Sequence, residues 1–233
     1  MIDLVGTIAI DGPAGAGKST IARILAKKLG YKYIDSGAIY RAITLLAIEQ
    51  GIEAEDEIGL SRIANNINIE FLPPDQNGIN RVILNKVDVT DKLRGGIIDK
   101  NVSRIARVKG VRDALLIIQR RLAEDNNIVM DGRDIGSRVL PDAELKLYIT
   151  ASIEERAQRR FTELKEKDVD VDYEDIKSEI YKRDKLDKER KISPLVKAED
   201  AFLLDTTDMS INEVLAKIIE IKKKVERDED VSL

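Results

Sequence analysis

The sequence feature that most constrains the fold is a glycine-rich segment at residues 12–19, which reads Gly-Pro-Ala-Gly-Ala-Gly-Lys-Ser and matches the pattern G-x-x-x-x-G-K-[ST] in full. Residues 5–10 before it form a β-branched apolar run that is typical of a buried strand. Residues 18–29 after it carry apolar side chains at helical spacing. A strand, a glycine-rich turn and a helix in this order predict the first unit of a parallel α/β fold.

The same segment, the P-loop, predicts a binding site for a polyphosphate. Glycines allow successive backbone amides to point inward around phosphate groups without a clashing side chain. Lys18 is placed to reach the β- and γ-phosphates, and the Ser19 hydroxyl to ligate Mg²⁺. The helix that follows adds the positive end of its dipole to this site. The predicted ATP-binding residues are Gly12, Pro13, Ala14, Gly15, Ala16, Gly17, Lys18, Ser19 and Thr20.

The rest of the chain alternates predicted strands with predicted helices, as a parallel sheet requires. We expect further strands at residues 31–34, 128–130, 145–149 and 202–204. We expect further helices at residues 36–50, 111–123, 173–190 and 211–227. Residues 152–155 (Ser-Ile-Glu-Glu) form a capping box, so one more helix is expected to begin there. With the first strand, this pattern predicts a central sheet of five parallel strands.

One segment, at about residues 57–101, departs from this alternation. It holds a short helix, a loop rich in Pro and Asn at residues 73–78, and runs in which apolar residues alternate with polar ones. We predict a small antiparallel β insertion. Within it, residues 85–88 match the guanine-reading pattern N-K-x-D of GTPases. Because they lie between two alternating runs and Asn tolerates left-handed dihedral angles, we interpret them as a hairpin turn.

Composition excludes several kinds of chemistry. The 233 residues include no Cys and no His, which excludes disulfides, thiolate zinc sites, cysteine nucleophiles and Ser-His-Asp triads. A net charge of −4 and a pI near 5.3 argue against nucleic-acid binding. No apolar run approaches the roughly 18 residues of a membrane span, and residues 1–10 lack the features of a signal peptide. We therefore expect a cytoplasmic protein without a nucleic-acid or membrane partner.

Two further loops follow predicted strands, residues 35–41 (Asp-Ser-Gly-Ala-Ile-Tyr-Arg) and residues 131–136 (Asp-Gly-Arg-Asp-Ile-Gly). Open α/β sheets bind ligands at the carboxyl ends of their strands, so both loops are expected beside the P-loop. Taken singly, each is explained equally well as a capped helix start with a surface arginine. Together with residues 10–19 and 183–195, they resemble the bacterial-type cytidylate kinases, in order over roughly residues 5–225.

The resemblance implies how an acceptor base is read. In this family a Ser, an Arg and an Asp read the cytosine, and they correspond here to Ser103, Arg112 and Asp134. An Asp can accept a hydrogen bond from the exocyclic amine N4, and an Arg can donate to O2 and N3. Uracil would place its O4 acceptor against Asp134, which would discriminate against UMP. Without the resemblance, Arg112 and Ser103 are ordinary helix residues.

The resemblance also implies sites for the acceptor phosphate and ribose. Arg41, Arg133 and Arg190 would hold the phosphate, whose oxygens suit planar guanidinium groups, and Arg183 and Asp187 the ribose hydroxyls. Arg183, Asp187 and Arg190 lie at i, i+4 and i+7 of one predicted helix, so they share a face. From this spacing alone, an exposed, salt-bridged face explains them equally well. The implied substrate-binding residues are Ser36, Gly37, Tyr40, Arg41, Ser103, Arg112, Asp134, Arg183, Asp187 and Arg190.

Family members carry a short lid that closes over ATP, which corresponds here to about residues 156–172 with Arg156, Arg159 and Arg160. Arg159 is the lid arginine expected to contact the transition state. The implied catalytic residues are Lys18, Arg133, Arg159 and Arg190. The implied Mg²⁺ ligands are Ser19 and, through water, Asp131, while Asp35 is expected to orient Arg41 or the water shell of the metal.

The resemblance implies one domain over residues 1–233, of the P-loop NTPase three-layer α/β/α class with a central parallel five-stranded sheet. The core would span about 1–56 and 102–227, and the insertion at 57–101 would bind the nucleoside monophosphate. The implied enzyme is a monomer that transfers the γ-phosphoryl group of ATP to CMP or dCMP with Mg²⁺ as cofactor. Another small-molecule P-loop kinase, of the UMP or shikimate type, and a non-catalytic nucleotide-binding protein stay open as alternatives.

Overall fold

The computed structural model describes residues 6–74, 80–93, 95–124 and 127–230. In this part of the chain the strands are β1 (Thr7–Asp11), β2 (Lys32–Asp35), β3 (Ile69–Pro74), β4 (Asn80–Leu84), β5 (Val87–Asp88), β6 (Ile128–Gly132), β7 (Leu145–Thr150) and β8 (Phe202–Asp205). The helices are α1 (Lys18–Leu29), α2 (Ser36–Glu49), α3 (Glu57–Asn65), α4 (Gly96–Ile105), α5 (Lys109–Leu122), α6 (Ile153–Lys165), α7 (Tyr173–Glu189) and α8 (Ile211–Asp230). A short 3₁₀ turn at Thr90–Leu93 and a π-helical turn at Ile135–Val139 complete the described elements.

The central sheet is parallel and has the strand order β2-β6-β1-β7-β8, which confirms the five predicted strands. β1 lies in the middle and is buried along its whole length, as a strand covered on both faces must be. At the carboxyl edge of the sheet, Asp35 of β2 is in register with Asp131 of β6, which pairs in turn with Ile10 of β1. The sheet therefore brings the P-loop and the two other predicted loops to one edge.

Helices cover both faces of this sheet, which confirms the three-layer arrangement. On one face, Ile8 and Ile10 of β1 pack in a cluster with α1 and α8. On the other face, Ala9 packs with α2, α5 and the small second sheet. Successive residues of a strand point to opposite faces, so β1 contributes to both apolar layers.

The second sheet is antiparallel with the order β3-β4-β5, as predicted for the insertion. Asn85 and Lys86 join β4 to β5 with φ angles of 49° and 71°, and two positive φ angles are the mark of a tight hairpin turn. The N-K-x-D pattern is therefore a hairpin, as interpreted. GTPases also carry a switch element with the pattern D-x-x-G, and residues 56–59 match that pattern. Here the Asp56 carboxylate accepts a hydrogen bond from the Gly59 N–H at 2.9 Å and caps α3, so the match is a helix cap. The predicted loop at residues 73–78 is described only as far as Pro74, and the rest of it lies outside the described residues.

One helix near the site was missed by sequence analysis. α4 buries Ile98, Val102 and Ile105 on one face, but glycines occupy its N-cap and its first position, and it crosses residue 101, where the insertion was expected to end. It packs against α2 and α7. Elsewhere, a capping box opens α8, since the Ser210 N–H donates to the Glu213 carboxylate at 2.8 Å and the Glu213 N–H donates to the Ser210 hydroxyl at 3.3 Å. In the described part of the chain, no helix combines the length and the apolar composition that crossing a membrane requires.

Candidate active site

The P-loop connects β1 to α1 and depends on its glycines. Gly12 has a φ angle of 147°, and a β-carbon there would lie 1.9 Å from the Ile149 carbonyl oxygen. Gly15 and Gly17 have φ angles of 76° and 82°, in the left-handed region that favours glycine. Gly17 is the residue before α1, so the loop ends at the helix N-terminus. The loop thus has the backbone and the helix dipole that a polyphosphate site needs.

Lys18 lies buried at the start of α1, and its Nζ donates to the Pro13 carbonyl oxygen at 2.7 Å. Burial, followed by the neighbouring charge of Arg133, holds the pKa of Lys18 well below its usual value. Both effects oppose the charged form of the amine. An anion beside Lys18 would relieve them, so the position favours binding of a phosphate.

Asp131, at the end of β6, joins the P-loop helix to β2. Its carboxylate accepts hydrogen bonds from the Ser19 and Tyr33 hydroxyls, each at 2.8 Å. Burial, with the nearby charge of Asp35, raises the pKa of Asp131 to about 6. Asp35 itself caps α2 by accepting from the Ala38 N–H at 3.0 Å.

The chemistry of Ser19 and Asp131 fits Mg²⁺. This ion prefers oxygen ligands, keeps several waters and is held in kinases by one or two protein groups together with substrate phosphates. Among the described residues there is no group of three or more acidic side chains that could hold a metal by itself. A hydroxyl and a carboxylate beside the P-loop are therefore a suitable partial set of ligands.

Arginines from three elements converge next to the P-loop: Arg41 of α2, Arg133 after β6 and Arg183 of α7. Burial, together with the charges of Arg133 and Arg41, lowers the pKa of Arg183 to about 10. The Nε atoms of Arg41 and Arg183 are buried and have no hydrogen-bond partner within the described ranges. The carboxylate nearest to Arg41 is Asp99, at 3.6 Å from its Nε. Buried donors without partners, surrounded by like charges, indicate a site for an anion.

Arg112 and Asp134 form a buried ion pair, so Arg112 does not lie on a solvated helix face. The Arg112 guanidinium donates to the Asp134 carboxylate and, at 3.1 Å, to the Ala106 carbonyl oxygen. It also lies over the Tyr40 ring, 5.4 Å from the ring centroid, a cation–π arrangement. Burial raises the pKa of Tyr40 to about 12, so the ring stays neutral. This pair presents a carboxylate and a guanidinium side by side.

Asp187 and Arg190 connect the arginine cluster to the Arg112–Asp134 pair. The Arg133 Nε donates to the Asp187 carboxylate at 2.8 Å, and Arg190 lies 3.7 Å from Asp187 and 3.6 Å from Asp134. Burial would raise the pKa of Asp187, but the charges of Arg133 and Arg183 outweigh it and hold the pKa below its usual value. The face of α7 that carries these residues is therefore buried against the site and is not an exposed salt-bridged face.

The remaining candidate residues lie around these groups. The Ser36 hydroxyl donates to the Asp131 carbonyl oxygen at 2.7 Å. A β-carbon at Gly37 would lie 2.9 Å from Arg41, so the missing side chain leaves room for that guanidinium. Ser103 is half-buried on α4. Thr20 is exposed in the first turn of α1.

The three arginines of the expected lid differ in position. Arg159 donates to Glu155 at 2.8 Å and to the Thr206 carbonyl oxygen at 2.7 Å, and its guanidinium lies 3.7 Å from where a β-carbon of Gly17 would be. Arg160 pairs with Glu163 at 2.9 Å. Arg156 is buried. Of the three, Arg159 lies beside the P-loop with a partly exposed guanidinium.

Asp11 and Asp184 hold the site together, although no sequence pattern assigned them a role. The Asp11 carboxylate accepts hydrogen bonds from the Ile135 and Gly136 N–H groups, each at 2.8 Å, and so anchors the turn that follows Asp134. Burial raises the pKa of Asp11 to about 7. Asp184 accepts from the Ala14 N–H of the P-loop at 3.1 Å. An aspartate at the last position of a strand was the available signal for Asp11, whereas nothing near Asp184 in sequence pointed to residue 14.

Comparison with known proteins agrees with this geometry. The family model described as cytidylate kinase matches residues 8–224. The chain belongs to the cytidylate kinase family. It is 50% identical over 214 residues to the cytidylate kinase of Carboxydothermus hydrogenoformans, covering 92% of this chain and 96% of that protein. It is 49% identical over 221 residues to the cytidylate kinase of Bacillus velezensis, covering 95% and 98%.

More distant solved structures share the fold. A gluconokinase from Sinorhizobium meliloti aligns with a TM-score of 0.52 and 13% sequence identity, covering 98% of both chains. This similarity shows a common architecture alone. Membership of the cytidylate kinase family excludes the GTPase interpretation of residues 85–88.

Proposed function

We propose that this member of the family transfers the γ-phosphoryl group of ATP to CMP or dCMP, giving ADP and CDP or dCDP, as a step of pyrimidine nucleotide metabolism. One observation carries the proposal. The P-loop with Lys18 lies at the same sheet edge as a cluster of arginines with unpaired N–H groups and the buried Arg112–Asp134 pair. A polyphosphate, an acceptor phosphate and a base thus have adjacent sites.

The P-loop would bind the phosphates of ATP. Its amides and the N-terminus of α1 would surround the β-phosphate, and Lys18 would exchange its bond to the Pro13 carbonyl for one to a phosphate oxygen. That exchange replaces a neutral acceptor with a charged one, which strengthens the hydrogen bond. Arg159, beside Gly17, is placed to approach the transferred group from α6.

The acceptor phosphate would bind between Arg41, Arg133 and Arg183, where positive charge is in excess. This differs from the division of roles that the resemblance implies, in which Arg183 binds the ribose, because Arg183 shares its electrostatic surroundings with Arg41 and Arg133. A phosphate monoester has a second pKa of about 6, so the acceptor oxygen is already a nucleophile at neutral pH. The absence of histidine is therefore no obstacle, because no general base is needed. The residues position the two phosphates in line and stabilise charge on the transferred group.

The Arg112–Asp134 pair would read the cytosine. Asp134 would accept a hydrogen bond from the N4 amine, and Arg112 would donate to O2 and N3. Tyr40 and the Ala106 carbonyl hold Arg112 in place, so the guanidinium does not need to be ordered on binding. Ser103, half-buried on α4, would be the third residue to contact the base. Because Arg112 and Asp134 are buried, water cannot compensate for a mismatched hydrogen bond, and the mismatch with uracil is costly.

Mg²⁺ would be held by Ser19 and, through water, by Asp131. When bound, the ion would neutralise charge on the β- and γ-phosphates. The Tyr33 hydroxyl and the Ser19 hydroxyl fix the orientation of the Asp131 carboxylate, so the protein's oxygens are already in place. We further infer a monomeric cytoplasmic enzyme, with residues 57–101 as the acceptor subdomain and residues 156–172 as a lid.

An acceptor panel tests the proposed function. ADP release from ATP and Mg²⁺ is measured with CMP, dCMP, UMP, AMP, dTMP and shikimate. We expect kcat/KM for CMP or dCMP to exceed that for each of the others by more than about tenfold, the size of effect that one mismatched buried hydrogen bond produces. A preference for another acceptor would assign the protein to a different kinase activity. ATP binding without acceptor-dependent ADP release would indicate a non-catalytic protein.

A further inference from the structure

Arg156 of α6 and Asp184 of α7 form a buried ion pair against the backbone of the P-loop, with 2.5 Å between the guanidinium and the carboxylate. Both side chains bind the same P-loop residue. Asp184 accepts from the Ala14 N–H at 3.1 Å, and Arg156 donates to the Ala14 carbonyl oxygen at 2.9 Å. Arg156 also donates to the Ala151 carbonyl oxygen at 3.0 Å, just after β7. The pair therefore ties two helices to one residue of the phosphate-binding loop.

The approach of α6 to this loop is close. A β-carbon at Gly15 would lie 3.1 Å from the Cβ of Arg156 and 3.2 Å from its carbonyl oxygen. Gly15 also has a left-handed φ angle, so the loop takes the path that brings it against α6 only with glycine at this position. The loop and α6 are thus in close contact at Gly15 and hydrogen-bonded at Ala14, so movement of the one is transmitted to the other.

On α7, Asp184 lies between residues that belong to the acceptor side. Arg183 precedes it, and Asp187 follows one turn later and accepts from Arg133 at 2.8 Å. α7 thus contacts the donor loop through Asp184 and the acceptor cluster through Arg183 and Asp187. A single rigid helix connects the two sites.

We propose that the Arg156–Asp184 pair is a positioning pair that couples the donor site to the acceptor site, an inference that rests on the proposed function. Occupation of the P-loop by ATP holds Ala14 in one orientation, and through this pair it holds α7 in the orientation in which Arg183 and Asp187 meet the acceptor. Buried, fully hydrogen-bonded ion pairs have few alternative geometries, which suits them to this task. By linkage, acceptor binding strengthens donor binding by the same factor.

Binding experiments on the full chain measure this coupling directly. The dissociation constant of CMP is determined by calorimetry with and without the β,γ-imido analogue of ATP and Mg²⁺. In the wild-type protein we expect the analogue to tighten CMP binding about fivefold or more, the usual size of coupling between two sites. In Arg156→Gln/Asp184→Asn we expect less than about twofold tightening, because the neutral pair no longer fixes Ala14. The double variant leaves no buried unpaired charge, so folding is preserved.

A matched control and a milder variant sharpen the result. Glu154 and Lys177 form another ion pair between α6 and α7, at 2.9 Å on the surface and away from Ala14, so Glu154→Gln is expected to retain the full coupling factor. Arg156→Lys keeps a positive charge beside Asp184, but one ammonium cannot reach the Ala14 and Ala151 carbonyls together. We expect an intermediate coupling factor from it, even if the double variant is too unstable to study.

Each outcome decides the proposal. Wild-type coupling in both Arg156 variants, or no coupling in the wild-type protein, would overturn the role of the pair while CMP phosphorylation by the wild type still supports the proposed function. Equal loss of coupling in Glu154→Gln would show that any contact between α6 and α7 suffices, which also contradicts the proposal. A wild-type protein that does not phosphorylate CMP would instead overturn the proposed function.

Discussion

The donor and acceptor halves of the site are built in opposite ways. The donor half is one continuous loop whose polar groups already have partners, such as Lys18 with the Pro13 carbonyl and Ser19 with Asp131. The acceptor half consists of side chains from α2, α7 and the end of β6, and the Nε–H groups of Arg41 and Arg183 have no hydrogen-bond partner in the described part of the chain. In the first half the side chains of Lys18 and Ser19 are hydrogen-bonded without a ligand, and in the second the unpaired Nε–H groups favour binding of an anion.

This difference leads to different expectations for mutations. The donor half is formed mainly by backbone, which keeps its conformation when one side chain is removed. We therefore expect such a mutation to lower turnover and to leave the fold intact. A charge removed from the acceptor half reduces repulsion among buried arginines, so we expect affinity and stability to change in opposite directions. Measurements of both quantities would show whether the two halves differ in this way.

The largest effect is expected from Lys18→Ala. Loss of a preorganised cation at the transferred phosphoryl group should lower kcat by about 10²–10³-fold. The thermal unfolding midpoint should change little, because loss of the bond from Lys18 to the Pro13 carbonyl is offset by removal of a buried charge whose pKa burial and Arg133 hold below its usual value. Lys27→Ala, on the exposed last turn of the same helix, is the matched control and should be silent. Near-normal turnover in Lys18→Ala would contradict the assignment of the donor half.

Asp134→Asn should lower the preference for CMP over UMP by more than about tenfold in kcat/KM. The amide can donate to O4 of uracil, whereas the carboxylate can only accept. Asp113→Asn is the control, since Asp113 pairs with Arg138 on the surface of α5 at 3.3 Å. If the preference is the same in Asp134→Asn and the wild type, the base is read elsewhere.

Arg183→Gln tests the excess positive charge in the acceptor half. Because burial, together with the neighbouring arginines, lowers the pKa of Arg183 to about 10, its charged form is disfavoured in the folded state. Removing the charge should raise the free energy of unfolding of the ligand-free protein by about 1 kcal/mol and weaken CMP binding. Denaturant titration and calorimetry measure the two effects, with the exposed neighbour Lys182→Gln as control. If Arg183→Gln lowers both the free energy of unfolding and the affinity for CMP, affinity and stability do not change in opposite directions in the acceptor half, which contradicts the expectation.

The last effect concerns stability alone and arises at Asp11, which joins the acceptor turn to the donor strand. Burial raises its pKa from 3.8 to about 7, so the folded state binds the proton more tightly than the unfolded state does. Its contribution to stability is therefore present below pH 4 and is lost as the pH rises towards 7, by less than about 1.4 kcal/mol per pH unit. Unfolding free energies at pH 5, 6, 7 and 8 should fall more steeply in the wild type than in Asp11→Asn. Parallel pH profiles would mean that Asp11 is ionised throughout.

Local patterns were enough to predict much of the framework. The P-loop, the central strands and the hairpin at residues 85 and 86 each depend on a few consecutive residues with defined dihedral preferences. α4 was missed because glycines mask its start, and its buried face became apparent only against α2 and α7. The roles of the arginines were equally ambiguous, since a charged helix face looks the same in sequence whether it is exposed or buried.

The sequence by itself therefore determined the donor half, because a glycine-rich turn between a strand and a helix adopts its phosphate-binding shape through local backbone geometry. Only the tertiary structure decided the acceptor half and its link to the P-loop. Arg112 reaches Asp134 across 22 residues, and Asp184 reaches Ala14 across 170. Contacts at such separations depend on how the helices pack on the sheet, and burial then sets the strength of the charges that meet there.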